Sequence, residues 1–223
     1  MEYRRIATPP PTEEMISKKW YHGTSKETDA KKIMEEGLKP PDLTNRHGWL
    51  KPVEGRVYLT EDLAYALIYA FGANMVGTEL PNSILENDGQ YGYLFVVDGS
   101  QLADIQPDED SVGEKLYDIL TDGDILESEK QEYWWLVYKA KQYLSASFLR
   151  KLMDGDFIYQ ARAGKTLMKY LSDAQKLQLI SDGAHIANQG GLMPAEVWKI
   201  DKERCSEFQK DGSNCFEIAE RIR

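Results

Sequence analysis

Apolar positions along the chain follow two rhythms. Short apolar or alternating runs bounded by turn residues, at Trp20-Tyr21, Arg56 to Leu59, Tyr93 to Val97 and Glu196 to Ile200, predict strands. Between them the spacing lengthens to helical. Ala30, Ile33 and Met34 follow a Thr24/Glu27 pair with the capping-box spacing, and Gly37 fits a left-handed stop with Leu38 as its hydrophobic partner. Thr60 is placed to cap a second helix. Glu61 and Asp62 suit its positive end, and Leu63, Ala64, Leu67, Ile68 and Phe71 form its apolar stripe.

Residues 39–55 and 73–90, rich in Pro, Gly and Asn, read as loops, and Gln106 to Asp110 as an acidic loop. From Val112 to Asp182 the pattern is helical, with Trp134, Trp135, Val137 and Tyr138, then Leu144, Phe148, Leu149 and Leu152, then Leu167, Met168, Leu171, Leu177 and Ile180. Asp211-Gly212-Ser213-Asn214, between Cys205 and Cys215, predicts a hairpin turn. The polar, proline-rich residues 1–17 read as a flexible arm, leaving 18–223 as a single α+β domain with a helical insertion over about 112–190.

Composition narrows the classes. The chain has 223 residues, 42% of them hydrophobic, enough for a sizeable core. No apolar run approaches the roughly 20 residues that cross a bilayer, and the start lacks a signal-peptide core. The expectation is a cytoplasmic protein without membrane contact. Two cysteines and three histidines make neither a disulfide framework nor a zinc pattern, so no metal is expected.

The formal net charge of -10 is unevenly distributed. Residues 61–132 hold 2 basic and 17 acidic side chains, whereas 133–181 hold 8 and 3. Lys139, Lys141, Arg150, Lys151, Arg162, Lys165, Lys169 and Lys176 make up that basic set. Solvated helix faces are the ordinary reading of such a run, and a path for DNA or RNA is the alternative.

Three segments carry candidate chemistry. Tyr21-His22-Gly23-Thr24 closes one strand, Val57-Tyr58-Leu59-Thr60 leads into a helix bearing Tyr69, and Glu196 opens a late strand. This ordered set resembles the ADP-ribosyltransferase superfamily, specifically its His-Tyr-Glu branch, which includes diphtheria-toxin-like and poly(ADP-ribose) polymerase-like enzymes. The resemblance covers about residues 18–72, 91–98 and 194–200, and it implies a split β-sheet core with an NAD cleft.

It also implies roles. His22 would bind the adenosine-side ribose, the Gly23 backbone the nicotinamide carboxamide, and Tyr58 and Tyr69 the two faces of the nicotinamide ring. Glu196 would stabilise an oxocarbenium-like transition state, with His22 and Tyr58 completing the catalytic set. Thr24 and Arg46 complete the implied NAD-binding residues. A serine common in polymerase-like members is replaced by Ala66, and Pro194 stands where arginine-specific transferases carry Gln or Glu. Glu127, Glu129 and Glu132 form a second carboxylate cluster, so Glu132 stays open as the alternative to Glu196.

The implied activity is mono-ADP-ribosyl transfer from NAD, as co-substrate, to a macromolecular acceptor, protein or nucleic acid, in the manner of a toxin or phage-defence factor with a neutralising partner protein. An RNA 2′-phosphotransferase and a non-catalytic nucleotide-binding module of the same fold are the alternatives. His47 and His185 carry no comparable pattern, and packing is the expected role of His185.

Overall fold

A computed structural model describes residues 9–40, 53–71, 90–123, 127–183, 185–209 and 211–223. Arg46 and His47 lie outside the described residues, as do most of the two loops predicted over 39–55 and 73–90.

In chain order the elements begin with helix α1 (Glu13–Ser17), strand β1 (Lys19–Thr24), helix α2 (Glu27–Glu36), strand β2 (Arg56–Leu59), helix α3 (Leu63–Phe71), and strands β3 (Tyr91–Asp98) and β4 (Ile105–Pro107). Six helices follow: α4 (Glu109–Thr121), α5 (Glu127–Glu132), α6 (Trp134–Tyr143), α7 (Ala146–Met153), α8 (Phe157–Leu167) and α9 (Asp173–Ser181). The chain closes with β5 (Ile186–Gln189), β6 (Glu196–Asp201), α10 (Cys215–Ile218) and β7 (Glu220–Arg221). This is a mixed α+β architecture built on antiparallel sheets.

The chain groups into two compact units. Of the described residues, one holds 10–40, 54–71, 90–105, 186–209 and 211–223, and the other holds 106–123, 127–183 and 185 together with Pro9 and Val53. In the first unit a four-stranded sheet runs in the order β1-β3-β6-β7, and β2 pairs antiparallel with β5. Central β3 is buried from Gly92 to Val97, which explains its unbroken apolar run.

Helix α3 packs on one face of the four-stranded sheet. Ala66, Leu67, Ala70 and Phe71 meet Leu94 and Ile200, while Ala64 and Ile68 of the expected stripe are only partly buried. The closeness of this packing depends on two glycines. A Cβ on Gly23 would lie 2.0 Å from the Ala66 carbonyl oxygen, and one on Gly92 would lie 1.9 Å from that of Ala70. Neither strand position admits a larger residue while the helix stays in place.

The second unit is the helical segment. Val112, Leu116, Leu136, Val137, Leu152, Leu167 and Leu179, from α4, α6, α7, α8 and α9, share one core. Helices α4 and α8 approach closely at Gly113 and Gly164, where added Cβ atoms would strike the backbone of Gln160 and Glu109 at 2.0 and 1.6 Å.

Local chemistry departs from the sequence reading at six places. Residues 13–17 of the expected arm are helical, capped by Thr12 and anchored by buried Met15, whose carbonyl accepts from Trp20 Nε1 at 3.0 Å. The Thr24/Glu27 capping box does not form, because Thr24 is still paired with Tyr93 in the ladder. Its Oγ1 accepts the Lys26 N–H instead, and Glu27 pairs with Lys31. Asp62, not Thr60, caps α3, accepting the Tyr65 N–H at 3.2 Å; Thr60 accepts from Asp62 N.

Gln106 to Asp110 is not a loop. It ends β4 and starts α4, with Asp108 as N-cap accepting from Asp110 N at 3.0 Å. No hairpin forms at 211–214: Gly212 takes the positive φ of a turn, and Asn214 leads into α10. The stop at Gly37 is present in altered form. Its φ of 80° and ψ of 173° lie in a region open to glycine alone, and Leu38 bridges to Leu192 across the unit.

Candidate functional site

Edge strand β1 organises the site. Tyr21 exchanges both backbone hydrogen bonds with Thr60, at 2.7 and 3.0 Å, so its N–H and C=O point away from β3. Alternation along an antiparallel strand turns the N–H and C=O of Gly23 to that same outer edge, and among the described residues no hydrogen bond reaches them. The next residue, Thr24, is occupied in the turn to α2.

His22 faces the neighbouring strand end. Its Nδ1 lies 3.0 Å from the Tyr58 carbonyl, and since a carbonyl only accepts, Nδ1 carries the proton and Nε2 is left as an acceptor. Burial of the ring lowers its pKa below the ordinary value, against a smaller opposing effect of the Tyr58 carbonyl. His22 is therefore neutral at physiological pH. It stands 6.4 Å, centre to centre, from the Phe95 ring.

Helix α3 packs on the Gly23 face of β1, opposite the His22 side chain, and carries Tyr69. Ala66 and Ala70, which flank it, are the residues whose backbone lies against Gly23. The Tyr69 hydroxyl is 3.2 Å from that of Tyr65, and their rings tilt at 59° with centres 5.4 Å apart. Ala66 is buried against the sheet and has no hydroxyl to offer a ligand. Direct contacts thus join Tyr58 to His22, and α3 to Gly23, with the His22 side chain and α3 on opposite faces of β1.

Glu196 shares the sheet face on which α3 packs. In the ladder Tyr21, Val96 and Glu196 form one row, and His22, Phe95 and Val197 the next. Directly paired residues share a face and successive residues alternate, so the Glu196 and His22 side chains lie on opposite faces of the sheet. The partners of Glu196 agree with this. Its Oε1 accepts from Lys19 Nζ at 2.8 Å and its Oε2 from Trp198 Nε1 at 3.1 Å, and both residues share its face. Lys19 holds the carboxyl below the ordinary pKa, with smaller contributions from Trp198 and Arg221, so the side chain is anionic and oriented.

Glu132 belongs to the helical unit, where it accepts from Gln178 Nε2 at 3.1 Å; the side chains of Glu127 and Glu129 lie outside the described residues. Among the described residues no group of three His, Cys, Asp or Glu side chains is gathered for a metal ion. His185 serves through its backbone, its N–H donating to Ser111 Oγ and its C=O accepting from Asp108 N.

Sequence reasoning overlooked Lys19 and Trp198, which fix Glu196, and Gly92, which receives α3 beside Gly23. Gly92 was open to detection, since a glycine inside an apolar strand signals close approach of another backbone.

Compared with protein-family models, curated proteins and solved structures, the chain matches none. Geometry alone therefore defines the class: an α+β protein on antiparallel sheets, with a strand edge that is unpaired at Gly23 among the described residues, beside a neutral histidine and a tyrosine-bearing helix. No helix among the described residues is long and apolar enough to cross a membrane.

Proposed function

We propose that this protein is an NAD-dependent ADP-ribosyltransferase of the His-Tyr-Glu type, moving ADP-ribose to a macromolecular acceptor with release of nicotinamide. One observation carries the reading: the N–H and C=O of Gly23 face an edge unpaired among the described residues, next to His22, Tyr58 and the Tyr69 segment. An adjacent outward donor and acceptor on one residue match the two ends of a carboxamide, and the absent Cβ lets α3 close over the strand. The tyrosines supply π faces for a flat, electron-poor pyridinium. His22 Nε2, an acceptor at neutral pH, suits a ribose hydroxyl.

The transition state of nicotinamide loss carries positive charge on the ribose, which an oriented carboxylate stabilises. Glu196 is ionised and held by Lys19 and Trp198. Because its side chain lies on the face opposite His22, the reading requires bound NAD to cross the β1 edge at Gly23. Glu196→Gln, which keeps the Trp198 bond, is expected to lower nicotinamide release by about 10²-fold or more while NAD binding persists. The measurement is release of nicotinamide from labelled NAD. Full activity in this variant removes Glu196 from the mechanism, and binding without release in the unmodified protein favours a non-catalytic module.

A further inference from the structure

The outer face of α6 combines features that a solvated helix lacks. Trp134 is 59% exposed and Tyr138 63%, both unusually high for large aromatic side chains. At i, i+4 and i+7, Trp134, Tyr138 and Lys141 lie along one flank, and the Lys141 ammonium sits 5.3 Å from the Trp134 ring centre. On the other flank Lys139 donates to the Tyr170 carbonyl, and Tyr143 stacks on Tyr170 with centres 3.5 Å apart and planes 4° from parallel. From Tyr133 to Met153 the sequence has four basic residues and no acidic one, in a chain whose net charge is -10. Exposed Arg150 and Lys151 end α7, and exposed Lys169 precedes Tyr170.

We propose that this face binds single-stranded nucleic acid. Exposed rings with interleaved lysines are the combination that such a ligand requires, since bases stack on the rings while ammonium groups meet phosphates. Ring spacing selects the single strand. Trp134 and Tyr138 are separated by about 6 Å along the helix axis, four residues at about 1.5 Å each. Bases in a stacked duplex strand repeat every 3.4 Å or so, too closely to place one base on each ring. An opened strand has the reach. The local excess of positive charge supplies the complementarity that the acidic remainder of the chain denies to phosphate elsewhere. Lys176 takes no part, being buried beside Asp173.

The test uses the full chain and a fluorescently labelled oligothymidylate, read by anisotropy without NAD, so its outcome is separate from that of the NAD reading. Binding is expected at low salt and is expected to weaken as salt rises. Trp134→Ala and Tyr138→Ala each lower affinity about tenfold, and Lys141→Gln reduces the salt slope by about 0.7. Because both rings are exposed, circular dichroism of the variants should match that of the unmodified protein. Three results overturn the proposal: no binding at low salt, equal binding by the Trp134→Ala/Tyr138→Ala double variant, or a wild-type dimer that this double variant dissociates while oligonucleotide binding is unchanged. The last assigns the face to a second copy of the chain.

Discussion

Replacing Gly23 by alanine adds a single methyl group at the point where α3 meets β1. That methyl would lie 2.0 Å from the Ala66 oxygen, 2.8 Å from the Ala70 nitrogen and 3.1 Å from the Ala66 carbonyl carbon, all backbone atoms that cannot rotate away. Non-bonded heavy atoms settle near about 3.5 Å, so the helix must retreat by roughly 1.5 Å. It cannot retreat at one end only, because Gly92 holds the Ala70 carbonyl as tightly. Overpacking of this kind costs about 1 to 3 kcal/mol, and two rigid backbones in contact place Gly23→Ala at the upper end. The same displacement moves α3 off the strand that carries Gly23, so under the proposed function NAD binding should fall together with stability. Urea denaturation followed by circular dichroism measures the first effect and NAD titration the second. Gly123→Ala is the control: nothing lies within 4 Å of its added Cβ, and a change within about 0.5 kcal/mol is expected. A Gly23→Ala protein as stable as this control would refute the close packing of α3 on β1.

His22 is partly buried and its folded pKa is lowered, so the unfolded ring takes up its proton first as pH falls; stability should decline below about pH 6.5 and level off beneath the lowered folded pKa, and the urea midpoint of His22→Gln should fall less between pH 8 and 5.5. Asp108 shows the opposite sign. Burial, with Asp110 and Glu109 nearby, raises its pKa well above the ordinary value, so its contribution is lost as pH rises from about 4 through the folded pKa. Asp108→Asn keeps the cap acceptor and should melt higher than the unmodified protein at pH 8, whereas Asp108→Ala loses about 1 kcal/mol of capping. The buried Cys215 thiol, pushed up to about 12, should resist iodoacetamide at pH 8 in a Cys205→Ser background until denaturant is added, as mass spectrometry would read.

Much of the local structure was legible because its causes are local. Arg56 to Leu59 is a strand within the bounds its sequence suggests, and the helical spacing after Val112 is realised in α4 to α9. Errors arose where a short polar signal competes with a ladder or a core. Thr24 has the spacing of a capping box, yet its pairing with Tyr93 keeps it in β1. Gln106 to Asp110 looks like an acidic loop, yet Glu109 is buried and Asp108 spends its carboxylate on a cap. Lys176 reads as part of a basic face, but its position on α9 turns it inward.

The candidate site shows the same division. Residue types and order single out His22, Gly23, Tyr58, Tyr69 and Glu196, because chemistry requires particular side chains and these stand at predicted strand ends or on a predicted helix. Which of them meet is decided by strand order and register, which join residues far apart in the chain. Pairing of β1 with β3, and of β3 with β6, sends Glu196 to the face opposite His22, and the Tyr21 bridge to Thr60 turns the Gly23 amide toward an edge unpaired among the described residues. The periodicity of a strand specifies that its faces alternate. Only packing against another element decides which of those faces a helix covers and which edge remains open.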